Sequence, residues 1–581
     1  MIRPLRFTCL TLLAIGLWGC DSGENTSSAT PPAKSLGTAP PGQSASPWFV
    51  DRAALAGLDF QHIFGNERRF HLPETISGGI ALLDIEGDGD LDIYCVQGGD
   101  LVDNVTGAGN RLFRNDGEFR FVDVTQASGV GDKGYGIGVA VGDIDRDGDP
   151  DLYVTNIGAN VLYRNEGDGT FTDVTREAGV GDEAFGSSAA FADLDGDRFP
   201  ELIVANYVNW RVGTEIDCTN GAGERDYCSP RNYRAPAADT VFRNRGDGTF
   251  ENISEPSGCR SVFGNGLGVA VADFDRDGLP DLYIANDGNA NQLWHQDSPL
   301  RFSDIAVSTG SAVDMNGAAE AGMGVTACDL DDDGDLDLLL THLRGETHTF
   351  YRNDGNSFTD ATVLSGLSAP SRDFTGFGIA LGDFDHDGRL DLYVGNGRVM
   401  RASHSYGEDP YAEPNQLFRG VGPAQFEEVH PRGGTATLLA HTSRAVACGD
   451  LDNDGDLDLV VMNSGEPPYL LENIAPKAGG AITVTLEDAA GLDAEGAIVI
   501  ATLEHGTLGP ESASPRPITR LAGRGGSYAA SHDPRIHLGL GSAREVASLE
   551  VRWPGGRVEQ FGPLAVGSRV TLREGSGIPG D

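Results

Sequence analysis

Basic residues are scarce in this chain of 581 residues: 42 lysines and arginines stand against 87 acidic residues, a formal net charge of −45. Nucleic-acid binding is therefore not expected, because a phosphate backbone needs a basic face and this field would repel it. The P-loop, H-E-x-x-H and G-x-S-x-G signatures are missing as well, so the sequence does not point to an enzyme. After residue 20, no apolar run is long enough to cross a bilayer.

Glycine, in contrast, is abundant, with 81 residues, about twice the average usage. The hydrophobic content of 39% is ample for a packed core. A glycine-rich chain of this kind turns often, which favours many short strands over long helices. The composition predicts an all-β protein.

The first 47 residues are typical of export and tethering. Arg3 and Arg6 precede a short apolar stretch that ends at Cys20, in a sequence that resembles a bacterial lipobox. We expect a lipoprotein signal peptide at 1–20 with Cys20 as the acylated residue; an ordinary cleaved signal is the alternative. Residues 21–47 are predicted to be a flexible linker. The protein would then be exported and lipid-anchored, facing the periplasm or the cell surface, with no spanning helix.

An acidic nonapeptide with carboxylates at alternate positions is repeated along the chain. Each copy follows a run of small and β-branched residues and precedes an apolar strand pattern, so we expect it to be the turn between two strands. The seven copies are 84–92, 143–151, 193–201, 273–281, 329–337, 383–391 and 450–458. Such a period indicates a repeat architecture.

Two further strand patterns follow each acidic loop and complete a four-stranded antiparallel unit, the blade of a β-propeller. The fourth strand is missing after the seventh loop, but a matching segment, Phe49-Val50-Asp51, precedes the first. A ring needs this exchange to remove its two exposed edges. We therefore predict a seven-bladed propeller at 48–475, closed by residues near 48–58, and a small β-domain at 476–581.

The acidic loops are predicted to bind metal. In D-x-D-x-D-G-x-x-D, carboxylates at positions 1, 3, 5 and 9 and the carbonyl at position 7 supply hard oxygen ligands, which select Ca²⁺. Crowded carboxylates would otherwise repel one another. We expect up to seven structural Ca²⁺ ions, held by Asp84, Glu86, Asp88, Asp90, Asp92, Asp143, Asp145, Asp147, Asp149, Asp151, Asp193, Asp195, Asp197, Phe199, Glu201, Asp273, Asp275, Asp277, Leu279, Asp281, Asp329, Asp331, Asp333, Asp335, Asp337, Asp383, Asp385, Asp387, Arg389, Asp391, Asp450, Asp452, Asp454, Asp456 and Asp458.

The seven loops are not equivalent. Arg198 stands where the other loops have glycine at position 6, and Glu201 closes that loop, so this site should be the weakest or empty. Glu86 is a longer ligand at position 3 of the first loop. Cys218 and Cys228 flank a polar insertion in a chain predicted to be exported, and we expect them to form a disulfide.

The repeats resemble the FG-GAP/VCBS repeats of integrin-like propellers, on GIGVAVGDIDRDGDPDLYVTN (136–156) and its six relatives. Residues 526–531, 537–541 and 551–556 resemble the ASPIC/UnbV domain that follows such propellers in cartilage-acidic-protein-like chains. The resemblance implies a calcium-stabilised, seven-bladed interaction platform. It does not settle a biochemical activity.

Two hypotheses about function follow. The first is a non-enzymatic, probably monomeric binding or adhesion module whose face away from the metal loops takes an unknown protein or glycan ligand. The second is a calcium-dependent carbohydrate-active enzyme, such as a polysaccharide lyase, with a base and a cationic clamp in the propeller funnel. The scarcity of lysine and arginine disfavours the second.

Overall fold

The computed structural model describes residues 46–65, 68–102, 107–355, 357–402, 405–503 and 517–580. Their regular structure consists of short strands and helical segments of three or four residues, so the protein is all-β. In this part of the chain, no helix is both long and apolar enough to span a membrane. The predicted signal peptide, Cys20 and nearly all of the linker lie outside the described residues.

Seven antiparallel four-stranded sheets contain the seven acidic loops, each loop joining the first and second strands of its sheet. We call the sheets blades 1 to 7. From the first strand to the fourth they are Ile80–Leu83, Asp92–Cys95, Arg111–Asn115 and Phe121–Asp123; Tyr135–Gly142, Asp151–Ile157, Val161–Asn165 and Phe171–Asp173; Gly186–Ala192, Glu201–Asn206, Thr240–Asn244 and Phe250–Asn252; Gly266–Ala272, Asp281–Asn286, Gln292–Ser298 and Arg301–Asp304; Val325–Cys328, Asp337–Leu340, Thr349–Asn353 and Phe358–Asp360; Gly376–Gly382, Asp391–Asn396, Gln416–Gly422 and Gln425–Glu428; and Ser443–Gly449, Asp458–Asn463, Tyr469–Asn473 and Phe49–Asp51.

The blades form a closed ring. First strands of successive blades contact one another, and the first strand of blade 7 returns to that of blade 1. Between blades 5 and 6 the Thr341 hydroxyl donates to the Phe377 carbonyl (2.7 Å). As the count of fourth strands predicted, Phe49–Asp51 pairs antiparallel with Tyr469–Asn473 and completes blade 7. The ring therefore has two faces: a metal-loop face with the acidic loops, and an opposite face with the loops between second and third strands.

Short elements decorate the ring. Six blades end in one helical turn after the fourth strand, at Ala53–Ala56, Thr125–Ser128, Thr175–Ala178, Ser254–Ser257, Ala306–Thr309 and Thr362–Ser365. The other helical segments are Leu72–Thr75, Val212–Thr214, Pro230–Tyr233, Ser368–Ser371 and Arg432–Gly434. Two small hairpin-like pairs join Cys218–Thr219 to Arg225–Asp226 and Glu413–Pro414 to Ala440–His441.

Residues 476–580, which we call the C-terminal domain, contain two further sheets around a separate apolar core. The smaller sheet consists of Ile536–Gly539, Ala481–Glu487 and Arg569–Arg573. The larger one consists of Pro517–Leu521, Ile498–Leu503, Glu545–Arg552, Val558–Phe561 and Ile578–Pro579, with Leu564–Ala565 paired to Glu545–Arg552.

Residues 524–532 of the C-terminal domain, which we call the plug hairpin, lie inside the ring. At its base the His532 N–H donates to the Arg524 carbonyl (2.8 Å). At its tip Tyr528 is fully buried, and its hydroxyl donates to the Ile76 carbonyl (2.5 Å). The Tyr528 ring packs edge-on against Phe377, with centroids 5.1 Å apart. The tip therefore reaches the end of the channel that lies toward the opposite face.

Polar contacts hold the plug hairpin to six of the seven blades. A two-residue strand, Ala530–Ser531, also runs parallel to the first strand of blade 1. The bonds to blades 1, 2, 3, 5, 6 and 7, respectively, are Ile80 N to Ala529 O (3.2 Å), Val141 N to Ser531 Oγ (3.1 Å), Ala529 N to Ser188 Oγ (2.9 Å), Val325 N to Ser527 O (3.3 Å), Ile379 N to Ser527 Oγ (2.9 Å) and Ser527 Oγ to Val446 O (3.2 Å). The axial channel is thus filled by this chain's own residues.

Replacing Phe49 should test the ring closure. Phe49 is 1% exposed and packs edge-on against Phe384 and Tyr393, at 5.4 and 5.9 Å between centroids. We expect Phe49→Ala to lower the free energy of unfolding by about 3–5 kcal/mol in urea denaturation. Val122→Ala, on the exposed side of the equivalent strand of blade 1, is the control and should change it by less than about 0.5 kcal/mol. Equal effects would contradict a closing role for Phe49–Asp51.

Candidate metal centres

The seven acidic loops share one backbone geometry. Positions 4 and 6 are left-handed in all of them, with φ between 59° and 99°. Glycine occupies position 6 in six loops, and Arg198, with φ of 76°, occupies it in blade 3. The N–H at position 6 donates to the position-1 carboxylate in every loop, at 2.7–3.1 Å. The chain therefore coils around the first aspartate, as the glycine spacing predicted.

The coil brings carboxylate oxygens together. In blades 3, 4 and 5, the aspartates at positions 1, 3 and 5 each place one oxygen within 4.8 Å of the others, and in blade 2 positions 1, 3 and 9 do so. Several of these oxygens are buried without a hydrogen-bond partner among the described residues, including Glu86 Oε2, Glu201 Oε1 and Asp450 Oδ1. Converging, unpartnered oxygens fit a hard divalent cation. The inward carbonyl at position 7 remains a prediction.

The carboxylate at position 9 has a second role that the sequence did not reveal. In six blades one of its oxygens accepts the N–H of position 2 and the other accepts an N–H from the third strand. In blade 2, for example, Asp151 accepts from Ile144 N and Asn165 N, both at 2.8 Å. The same residue therefore closes the loop and joins three strands of the blade.

An asparagine of the third strand was also missed. Its side-chain amide donates to the position-2 carbonyl of the preceding blade: Asn115 to Leu451, Asn165 to Ile85, Asn244 to Ile144, Asn353 to Phe274 and Asn473 to Phe384, at 2.8–3.2 Å. Each loop is thereby tied to its neighbour around the ring. The recurring Arg-Asn or Glu-Asn pair after each loop was the available signal.

Cations from the third strand face the position-3 carboxylates. Arg243 lies 2.7 Å from Asp195 in blade 3, and Arg419 lies 2.8 Å from Asp385 in blade 6. Glu472 takes this place in blade 7 and pairs instead with Arg52 of the closing N-terminal segment, at 2.5 Å. Charge around the loops therefore differs from blade to blade.

Burial raises the pKa of the loop carboxyls. Desolvation raises the pKa of Asp92, Asp151 and Asp337, all at position 9, to about 8, against opposing hydrogen bonds from backbone N–H groups. The pKa of Asp383, at position 1 in blade 6, is raised to about 7 by the same cause. Carboxyls that hold protons near neutral pH are groups that a cation would deprotonate on binding.

The stability of the calcium-free protein should fall as pH rises from about 4 to 8. In this window the folded state keeps protons on Asp92, Asp151 and Asp337, whereas the unfolded chain has released them. More protons are bound in the folded state, so its stability decreases with increasing pH. Thermal melts of calcium-free protein at pH 5.5, 7 and 8 would measure this trend. A melting temperature that rises over the same range would contradict it.

The repeats and the C-terminal domain match known families. The FG-GAP-like repeat family matches residues 84–154, 147–204, 219–284, 273–340 and 329–394, about half of the chain. The chain belongs to the FG-GAP-like repeat family. The domain called ASPIC and UnbV matches residues 496–579, so both resemblances drawn from the sequence are confirmed. The seventh loop, 450–458, lies outside the matched segments but shares their geometry.

Curated relatives of this FG-GAP-like chain are cartilage acidic proteins. Cartilage acidic protein 1 of Xenopus tropicalis is 31% identical over 209 residues, 35% of this chain and 29% of the relative. The protein of the same name from Mus musculus is 25% identical over 326 residues, 54% of this chain and 46% of the relative. The chain thus spans less than half the length of these relatives. A solved structure of an Agrocybe aegerita lectin matches with 15% identity and a TM-score of 0.38, over 68% of this chain and 87% of that chain.

Proposed function

We propose that the protein is a calcium-stabilised, non-enzymatic binding or adhesion module, exported and anchored by lipid on Cys20, which takes a protein or glycan ligand. The observation that carries the metal part is the convergence of partnerless, buried carboxylate oxygens in repeated loops. Positions 1, 3, 5 and 9 of each loop would hold the ion, which would neutralise the crowded carboxylates and brace the turn. The names of the relatives suggest no catalysis.

Calcium should stabilise the protein unequally through its loops. Asp329, at position 1 in blade 5, is 3% exposed, and burial raises its pKa to about 6. Asp193, in blade 3, is partly exposed, and both its oxygens already accept N–H groups, from Gly196 (2.8 Å) and Arg198 (2.9 Å). Ions bound only to the folded state raise its stability. We therefore expect Asp329→Ala to reduce the calcium-induced rise in melting temperature more than Asp193→Ala.

Calorimetric melts with and without calcium would measure this difference. Asp168→Ala, in an exposed turn outside the loops, is the control and should leave the calcium response unchanged. Equal losses for Asp329→Ala and Asp193→Ala would show that the loops are equivalent sites.

The opposite face is the surface we propose for the ligand, because the C-terminal domain and its plug hairpin occupy the metal-loop face and the channel. The hypothesis of a polysaccharide lyase placed its base in that funnel, where the plug hairpin lies; we therefore do not adopt it. Loops of the opposite face leave large apolar side chains exposed. They include Val102, Val212, Phe263, Met400 and Leu438. Exposed apolar residues on one face are typical of interaction surfaces.

An aromatic–arginine cluster joins three loops of this face: Phe70, Arg225, Tyr227, Arg401 and Tyr411. The Arg225 and Arg401 guanidinium groups lie 5.5 and 5.4 Å from the centre of the Phe70 ring. The Tyr227 ring lies 5.2 Å from that of Phe70. Exposed arginines beside aromatic rings suit an acidic protein segment or an acidic sugar.

The insertion that carries Arg225 and Tyr227 is fixed at both ends of the cluster. Cys218 and Cys228 form a disulfide around it. Asp226, between them, accepts hydrogen bonds from the Tyr411 hydroxyl (2.7 Å) and the Arg401 N–H (2.9 Å). Such cross-links hold the cluster in one arrangement before a ligand binds, which lowers the entropic cost of binding.

Charge reversal in the cluster tests the proposed surface. We expect Arg225→Glu with Arg401→Glu to weaken binding at least about tenfold, in a screen of acidic and neutral polysaccharides and in pull-downs from the native envelope. The pair Arg176→Glu with Arg245→Glu, exposed elsewhere on the ring, controls for the change in net charge. Equal losses for both pairs would place the ligand elsewhere. New reducing or unsaturated sugar ends would contradict a non-enzymatic role.

A further inference from the structure

The C-terminal domain rests on the metal-loop face through residues that are not predicted ligands. At position 4 of the blade 2 loop, the Arg146 guanidinium donates to Asp488 Oδ2 (2.5 Å). At position 4 of the blade 7 loop, Asn453 Oδ1 accepts from Arg535 Nη1 (3.0 Å). Arg569 also donates to the side chain of Asn453 (3.1 Å). Position 4 thus faces the C-terminal domain while its neighbours face the centre of the loop.

The blade 6 loop makes the same kind of contact. The carbonyl of His386, again at position 4, accepts from the Gly541 N–H (3.0 Å). The His386 ring lies 4.9 Å from the ring of His537. The carbonyl of Asp385, at position 3, accepts from the Ala478 N–H (2.7 Å). This loop is covered by the C-terminal domain, and both Asp383 and Asp385 are buried.

Arg198 also finds an explanation in this contact. Its guanidinium lies 3.3 Å from Asp488 and 3.2 Å from Glu574, both in the C-terminal domain. An arginine at a left-handed position costs about 1 kcal/mol relative to glycine. The two ion pairs offset that strain, so the blade 3 loop departs from the pattern in order to hold the neighbouring domain.

The blade 4 loop differs from these. Among the described residues, no hydrogen bond or ion pair joins loop 273–281 to residues 476–580. Its position-4 residue, Arg276, has the same left-handed backbone, with φ of 61°, but pairs with Asp335 of blade 5 at 2.5 Å. It provides an internal comparison for loops of blades 2, 6 and 7.

We propose that metal binding in the loops of blades 2, 6 and 7 is thermodynamically linked to docking of the C-terminal domain and insertion of its plug hairpin. This inference rests on the proposed metal sites. Positions 3 and 5 flank position 4, so an ion that fixes their carboxylates also fixes the residue that holds the domain. Linkage is reciprocal: if the ion favours docking, docking strengthens ion binding by the same factor. Calcium would thereby control whether the axial channel is plugged.

Hydrogen exchange of the full chain, followed by mass spectrometry during a calcium titration, tests the linkage loop by loop. Tyr528→Ala removes the tip of the plug hairpin without altering charge or any loop. It should raise the calcium midpoints of loops 143–151, 383–391 and 450–458 at least about fivefold. The midpoint of loop 273–281 should stay unchanged in the same sample. Tyr528→Phe, a milder change, should give a smaller shift in the same three loops.

The reverse experiment starts from the loops. Asp383→Asn, at position 1 in blade 6, should increase exchange in residues 524–532 at saturating calcium, whereas Asp273→Asn, its counterpart in blade 4, should not. Exchange in Asp391–Asn396 reports whether blade 6 itself stays folded. Unchanged midpoints in Tyr528→Ala, or equal shifts in all four loops, would overturn the linkage while leaving the metal sites standing. If no loop responds to calcium, the proposed metal sites fail and the linkage with them.

Discussion

Carboxylate burial in the seven acidic loops is the constraint on which the structure depends. Each loop coils its first five residues around one point and buries its ninth, as Asp151 and Asp337 show with almost no exposed surface. Buried carboxylates are costly unless they are hydrogen-bonded, protonated or paired with a cation. The backbone supplies part of the compensation through the N–H groups of positions 2 and 6 and of the third strand. The rest has to come from protons or from metal, which makes the fold sensitive to both.

The ring and the C-terminal domain share one structural problem, the unfilled axis of the propeller. Seven first strands converge on that axis and would leave backbone and apolar groups such as Phe377 facing a channel. The plug hairpin fills it with small residues and one large ring, Tyr528, and bonds to six blades at once. Residues 44–581 consequently behave as a single compact unit. The same arrangement leaves the opposite face as the free surface of the ring.

Much of the architecture could be predicted from the sequence because its determinants are local. The spacing of aspartates and glycine in nine residues sets the loop, and the alternation of apolar residues sets the flanking strands. Even ring closure followed from counting, since Phe49-Val50-Asp51 repeats the letters of Phe121-Val122-Asp123. The third-strand asparagines were missed although they recur as regularly. Their partner is a backbone carbonyl of another blade, and a carbonyl leaves no mark in the sequence.

By itself, then, the sequence determined the repeated blade, the number of blades and the placement of acidic oxygens in each loop. Only the tertiary structure decided where the segment 524–532 lies and why Arg198 replaces a glycine. The physical reason is range. A turn is specified by neighbouring residues, whereas the plug hairpin meets Ile80, Ser188 and Val446 across distances in sequence that no periodicity spans. Its contacts exist only once all seven blades have closed.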